Sequence, residues 1–143
     1  MNNLKEFTIW YENLELESLD EIDLFYDENV FFKDPFNEFK GRENLMKVFA
    51  HMFENLENPH FVILDTIANS DGVFLTWNFY LKFKGRGHKI HGSSHLKYNK
   101  GNRIVYHRDY WDVGEEILSK IPFIKFLYSY IQKKMALPQE NLC

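Results

Sequence analysis

The stretch LFYDENVFFKDPFNEFKGRENLMKVF, residues 24–49, switches its hydrophobic pattern twice. It opens at the end of a short helix predicted over about 19–27, whose apolar residues are Leu19, Ile22, Leu24, Phe25 and Tyr26. Val30-Phe31-Phe32 then reads as a brief strand. Asp34-Pro35 ends it, because proline has no N–H to give to a ladder. Gly41 leads into a helix predicted over about 42–56, with Leu45, Val48, Phe49, Met52 and Leu56 on one stripe.

On the N-terminal side, Leu4, Phe7, Tyr11 and Leu14 recur at helical spacing, so residues 3–17 read as an amphipathic helix. Ser18 with Glu21 three residues on reads as a capping box opening the second helix. After Asn58-Pro59 the pattern changes to four β-rich runs: 60–69, 73–84, 88–98 and 103–113. Asn69-Ser70-Asp71-Gly72, Gly85-Arg86-Gly87 and Asn99-Lys100-Gly101-Asn102 separate them as hairpin turns, which predicts an antiparallel meander. Residues 114–135 return to helix, with Pro122 starting a second piece or kinking the first. Helices first and a meander after make an α+β domain.

The 143 residues suit one domain with its own core. An aromatic share of 17%, with 14 Phe, predicts a ring-lined interior. The one cysteine, Cys143, excludes a disulfide within the chain and fits a reducing compartment. No cationic segment followed by an apolar run opens the sequence, and the longest uncharged apolar run, 73–81, is too short to span a bilayer. A soluble cytoplasmic protein is expected. The net charge of −4 hides an asymmetry: residues 1–60 hold 14 acidic and 5 basic side chains, whereas the rest are basic on balance. The lysines of that second part stand singly, so the expectation is an acidic helical layer against a more basic sheet, with no nucleic-acid partner.

The order α-α-β-α-β-β-β-β, the 24–49 stretch and RDYWD at 108–112 resemble the nuclear transport factor 2-like superfamily, in its SnoaL-like and ketosteroid isomerase-like branch. RDYWD is similar to the RDYFD of limonene epoxide hydrolases. The resemblance covers about residues 3–113. It implies a strongly curved antiparallel sheet wrapped around the N-terminal helices, a cone with a hydrophobic pocket at its open end. The cone domain is expected over 1–113; the helical tail over 114–143 lies outside the family pattern and is expected, from its own apolar stripe, to pack on the same domain. The resemblance also implies a homodimer and a small hydrophobic ligand. The same scaffold serves cofactor-independent isomerases, cyclases, dehydratases and hydrolases as well as non-catalytic binding or interaction modules.

By this resemblance Asp34 takes the place of the isomerase's catalytic base, although Asp before Pro also starts turns. The isomerase's oxyanion-binding Tyr falls on Trp10, with Tyr11 beside it, and its protonated Asp falls near Ser94. Neither Trp10 nor Ser94 is an acid-type donor, so steroid isomerisation by the usual mechanism does not carry over. Asp109 matches the hydrolase carboxylate that activates water. The stretch 75–79, where that enzyme has an Arg and a second Asp, offers Asn78. Strand alternation puts Val105, His107, Asp109 and Trp111 on one face, and Tyr106, Arg108 and Tyr110 on the other. His107 and Asp109 thus share a face about 6–7 Å apart, and either serves as a base near neutral pH if the two are coupled. The structural alternative is Asp109 paired with a lysine or capping a helix, and His107 as a satisfied core histidine. The candidate catalytic residues are Asp34, Asp109 and His107. Trp10, Tyr11, Asn78, Ser94, Trp111 and His51, on the flank of the third helix, are the candidates for holding substrate.

His88, His91 and His95 converge poorly on a strand, so no metal centre is expected, and no phosphate loop, nucleophile elbow or cofactor motif is present. The tail 120–135, KIPFIKFLYSYIQKKM, carries Phe123, Phe126, Leu127, Tyr130 and Ile131 on one stripe with lysines around it. Packing on the sheet or on a dimer partner is the main expectation. A lid, or contact with a membrane surface, is the lesser one.

Overall fold

A computed structural model describes residues 1–136, so Cys143 lies outside the described residues. It forms two compact units that part between Trp111 and Asp112.

In the first unit, helix α1 (Leu4–Glu12) buries Phe7, Trp10 and Tyr11. It is shorter than the 3–17 expected. The predicted second helix is a 3₁₀ segment, Leu16–Leu24. Its cap also differs: the Glu15 backbone N–H donates to Ser18 Oγ at 3.0 Å, so Ser18 closes the cap from inside the first turn and does not start it. Tyr26, counted in that helix from the sequence, instead opens strand β1 (Tyr26–Lys33). The short β2 (Glu38–Lys40), unforeseen, turns back on β1. Helix α2 (Arg42–Asn55) starts after Gly41, whose φ of 102° is reachable without strain only by glycine.

The remaining strands are β3 (Glu57–Ala68), β4 (Val73–Phe83), β5 (Arg86–Tyr98) and β6 (Ile104–Tyr110). They form the predicted meander, and the sheet order is β2-β1-β6-β5-β4-β3. β1 pairs with β6 in parallel, the one parallel contact among the described residues in a sheet otherwise antiparallel. The unit is thus α+β, with α1 and α2 against the sheet.

Rings fill the interface between helices and sheet. Phe7 touches Trp10, Tyr11, Phe25 and Tyr26 at centroid distances of 5.5–6.2 Å. Tyr11 lies 4.5 Å from Phe61, which stacks on Phe79 at 4.6 Å. Each such ring contributes about 1.5–3 kcal/mol by leaving water. Gly92 makes room for a further ring, Trp77, which meets Phe61 at 5.3 Å: a Cβ at Gly92 would sit 2.4 Å from the indole.

In the second unit, α3 (Val113–Glu116) is capped by Asp112, which accepts from the Glu115 N–H at 3.0 Å. A 3₁₀ turn (Leu118–Lys120) follows, then α4 (Pro122–Met135), with Pro122 opening the helix. Among the described residues no helix is long and apolar enough to cross a membrane.

Candidate functional site

β6 lies between β5 and β1, so its inward side chains face the ring-packed interior on both flanks. His107 sits opposite Leu96 of β5 and Phe32 of β1, and Asp109 sits opposite Ser94. Alternation along β6 brings His107 and Asp109 to one face, as expected.

The two are joined. His107 Nε2 lies 2.8 Å from Asp109 Oδ1. The other ring nitrogen, Nδ1, lies 2.8 Å from the Tyr26 hydroxyl. A carboxylate only accepts, so Nε2–H donates to Asp109. Burial, then the charge of Asp109, holds the Tyr26 phenol well above its ordinary pKa, so it is protonated and free to donate to Nδ1. On the other flank Ser94 Oγ donates to the same Asp109 oxygen at 2.5 Å and accepts from Trp77 Nε1 at 2.8 Å. The result is one buried hydrogen-bond chain from Tyr26 through His107, Asp109 and Ser94 to Trp77.

Tyr11 borders this chain and is almost fully buried. Its pKa is raised well above normal by burial, then by Asp109, Tyr26 and Asp34, with the contact to Ser94 acting the other way. The carboxylates of Asp34 and Asp109, 75 positions apart in the numbering, thus both bear on one phenol. Within Asp109 the oxygens differ. Oδ1 takes both donors, while among the described residues none donates to Oδ2. The side chain stays 12% exposed, against 1% for His107.

The family model of the SnoaL-like domain matches residues 7–107. The chain belongs to the SnoaL-like domain family. No curated protein sequence matches this SnoaL-like chain significantly. Solved structures share its fold at low identity. An NTF2-like protein of unknown function from Burkholderia pseudomallei is 15% identical, with a TM-score of 0.71 over 82% of this chain and 95% of that one. A protein assigned as a SnoaL-like polyketide cyclase from Shewanella putrefaciens is 15% identical, with a TM-score of 0.69 over 86% and 98%. An LEH-like epoxide hydrolase from Mycobacterium tuberculosis is 16% identical, with a TM-score of 0.65 over 93% and 92%.

The other candidate residues of this SnoaL-like chain do not all gather at the Asp109 cluster. Trp10 is buried, but its indole N–H is spent on the Ser18 carbonyl at 3.0 Å. Asp34 holds its own turn: Oδ1 accepts from the N–H groups of Phe36 at 2.7 Å and Asn37 at 2.6 Å, and Oδ2 accepts from the Asn37 amide at 2.9 Å. Trp111 lies edge-on to Phe36 at 5.4 Å, beyond the end of β6. His51 is exposed on α2. Asn78 is a correction. It points to the outer sheet face, where its Oδ1 lies 3.1 Å from His91 Nδ1, because Trp77 and Phe79 take the inward positions of β4. Tyr26 and Trp77 were not singled out from the sequence. Trp77 was detectable, since it alternates in phase with Leu75 and Phe79. Tyr26 gave no signal, because it stood at the end of a predicted helix.

A separate recess of about 390 Å³ is lined by Asn58, His60, Tyr80 and Lys89 among others, and by none of the candidate site residues.

Proposed function

We propose that this SnoaL-like protein binds a small hydrophobic molecule with a carbonyl, enol or epoxide oxygen and performs acid–base chemistry on it. The reaction is of isomerase, cyclase, dehydratase or hydrolase type. The observation that carries the reading is the unequal engagement of Asp109: Ser94 and His107 hold Oδ1, leaving Oδ2 to take a proton. Tyr11, kept protonated by its burial and by nearby carboxylates, is the donor for an oxygen that gains charge. Asp34 is a second carboxylate whose charge acts on the same phenol. A proton lifted from carbon onto Asp109 and returned to a neighbouring carbon leaves no net reactant, so this chemistry calls for no cofactor.

The test is deuterium incorporation into a panel of hydrophobic cyclic enones in D2O, read by mass spectrometry. The wild-type protein should accelerate exchange on at least one probe, and Asp109→Asn should lower that rate about 100-fold. A second reading, a non-catalytic binding or interaction module, is favoured by the ring packing of the interior and by the engagement of Asp34 in its turn. It replaces the first if no probe exchanges while native mass spectrometry finds a co-purifying small molecule held equally by wild type and Asp109→Asn.

The reading includes a reducing cytoplasmic setting and a homodimer formed through the outer sheet face. Ile67, Phe74 and Tyr110 stand 69%, 42% and 40% exposed there, an apolar patch of the kind that marks an interface.

A further inference from the structure

The second unit carries the most exposed apolar side chains described. In α4, Phe123 is 91% exposed and Phe126 is 82% exposed, with Leu127, Tyr130 and Ile131 between 53% and 61%. Their spacing of three and four residues spreads them over about 140° of the helix, at about 100° per residue. The helix also has an inward side: half-buried Tyr128 lies over Gly114 of α3. The exposed stripe is therefore not the face that α4 uses within its own unit.

Charge says what the stripe suits. Residues 117–136 contain Lys120, Lys125, Lys133 and Lys134 and no acidic side chain. Lys120 lies 3.7 Å from Glu116, and the Lys134 ammonium sits 5.8 Å from the Tyr130 ring centre, at the C-terminal end of the apolar stripe. A second copy would present the same lysines to these, so self-association through α4 sets like charges together. A bilayer with phosphate-bearing anionic lipids offers hydrocarbon to the rings and negative charge to the ammoniums. At 14 residues the helix is about 21 Å long, too short to cross the hydrocarbon but suited to lie along its boundary.

We propose that α4 is an interfacial anchor: Phe123, Phe126, Leu127, Tyr130 and Ile131 enter the headgroup boundary of an anionic bilayer, and Lys133 and Lys134 meet its phosphates. The anchoring is reversible, because one short helix buries few side chains and its electrostatic part is screened by salt. It brings the SnoaL-like unit to a surface where hydrophobic molecules concentrate.

The experiment is flotation of the full chain with vesicles of phosphatidylcholine, with or without about 30% phosphatidylglycerol. Recovery with the anionic vesicles should exceed that with neutral ones about tenfold and should fall as salt rises. Phe123→Ser with Phe126→Ser alters only exposed positions and should cut recovery to the neutral level with an unchanged circular dichroism spectrum. Lys133→Gln with Lys134→Gln should lower the anionic recovery alone. Equal recovery from both vesicle types overturns the proposal, as does wild-type recovery of the Phe variant. Absence of recovery from either vesicle also overturns it. If gel filtration then shows the Phe variant turning a dimer into a monomer, the occupant of the stripe is a second copy.

Discussion

The Tyr26 hydroxyl lies 2.8 Å from His107 Nδ1, across 81 positions of sequence, with the two rings stacked 9° from parallel at 5.9 Å. Both side chains are fully buried. The contact fixes the imidazole so that its other nitrogen faces Asp109, which makes Tyr26 a positioning residue for the candidate base.

Tyr26→Phe keeps the ring and removes the donor, leaving Nδ1 without a partner in a dry site. The expected cost is about 1–3 kcal/mol of unfolding free energy. Urea denaturation measures it. A midpoint unchanged from wild type would sink the view that this hydrogen bond holds the imidazole.

Gly92→Ala drives a methyl to within 2.4 Å of the Trp77 ring, which is fixed by its own bond to Ser94. Neither the sheet backbone nor the buried indole can yield without loss. A destabilisation of about 1–3 kcal/mol follows from overpacking. The Trp fluorescence should change as well, because the indole must leave Ser94. An Ala variant as stable as wild type, with unaltered emission, would contradict the close packing.

Alkali provides a test with a definite sign. Tyr11 and Tyr26 have folded pKa values well above the ordinary 10.0, so above about pH 10 the unfolded chain loses phenolic protons before the folded one does. Their contribution to stability is whole below the unfolded pKa and falls away as pH rises through the folded one. Denaturation midpoints should therefore drop above about pH 10 in wild type, and less steeply in a Tyr26→Phe variant. Parallel profiles for the two proteins would argue against buried, protonated phenols.

For the proposed homodimer, Phe74→Glu places a charge in the middle of the outer-face cluster, where Phe74 stacks with His95 at 5.4 Å and with Tyr110 at 6.4 Å. Being 42% exposed in the single chain, the position should tolerate the change in folding. Light scattering is expected to give a monomer mass for the variant and a dimer mass for wild type. A wild-type monomer at micromolar concentration would rule the interface out.

Period and punctuation made most of this architecture legible. Asp34-Pro35 and Gly41 marked the strand end and the helix start, and the three turns marked the meander. Alternation in β6 also paired His107 with Asp109. What stayed hidden was local chemistry with long-range causes. Tyr26 looked helical because its partner strand, β6, lies so far along the chain, and the pairing shifts register between Tyr26 and Phe31. Asn78 follows from the hydrolase resemblance alone, and it stands one step from Trp77, which in a strand exchanges the two faces. Asp34 kept the turn role open to any Asp before Pro, and no sequence pattern shows which carboxylate oxygens a fold leaves unengaged.

The parallel contact between β1 and β6 also sets an order of events in biogenesis. Both halves of the Tyr26–His107 pair exist only once the last strand has docked beside the first, a closure of high sequence separation and correspondingly slow formation. A chain that has emerged only as far as β5 lacks both His107 and Asp109. Assembly of the Tyr26–His107–Asp109 chain therefore waits on completion of the sheet.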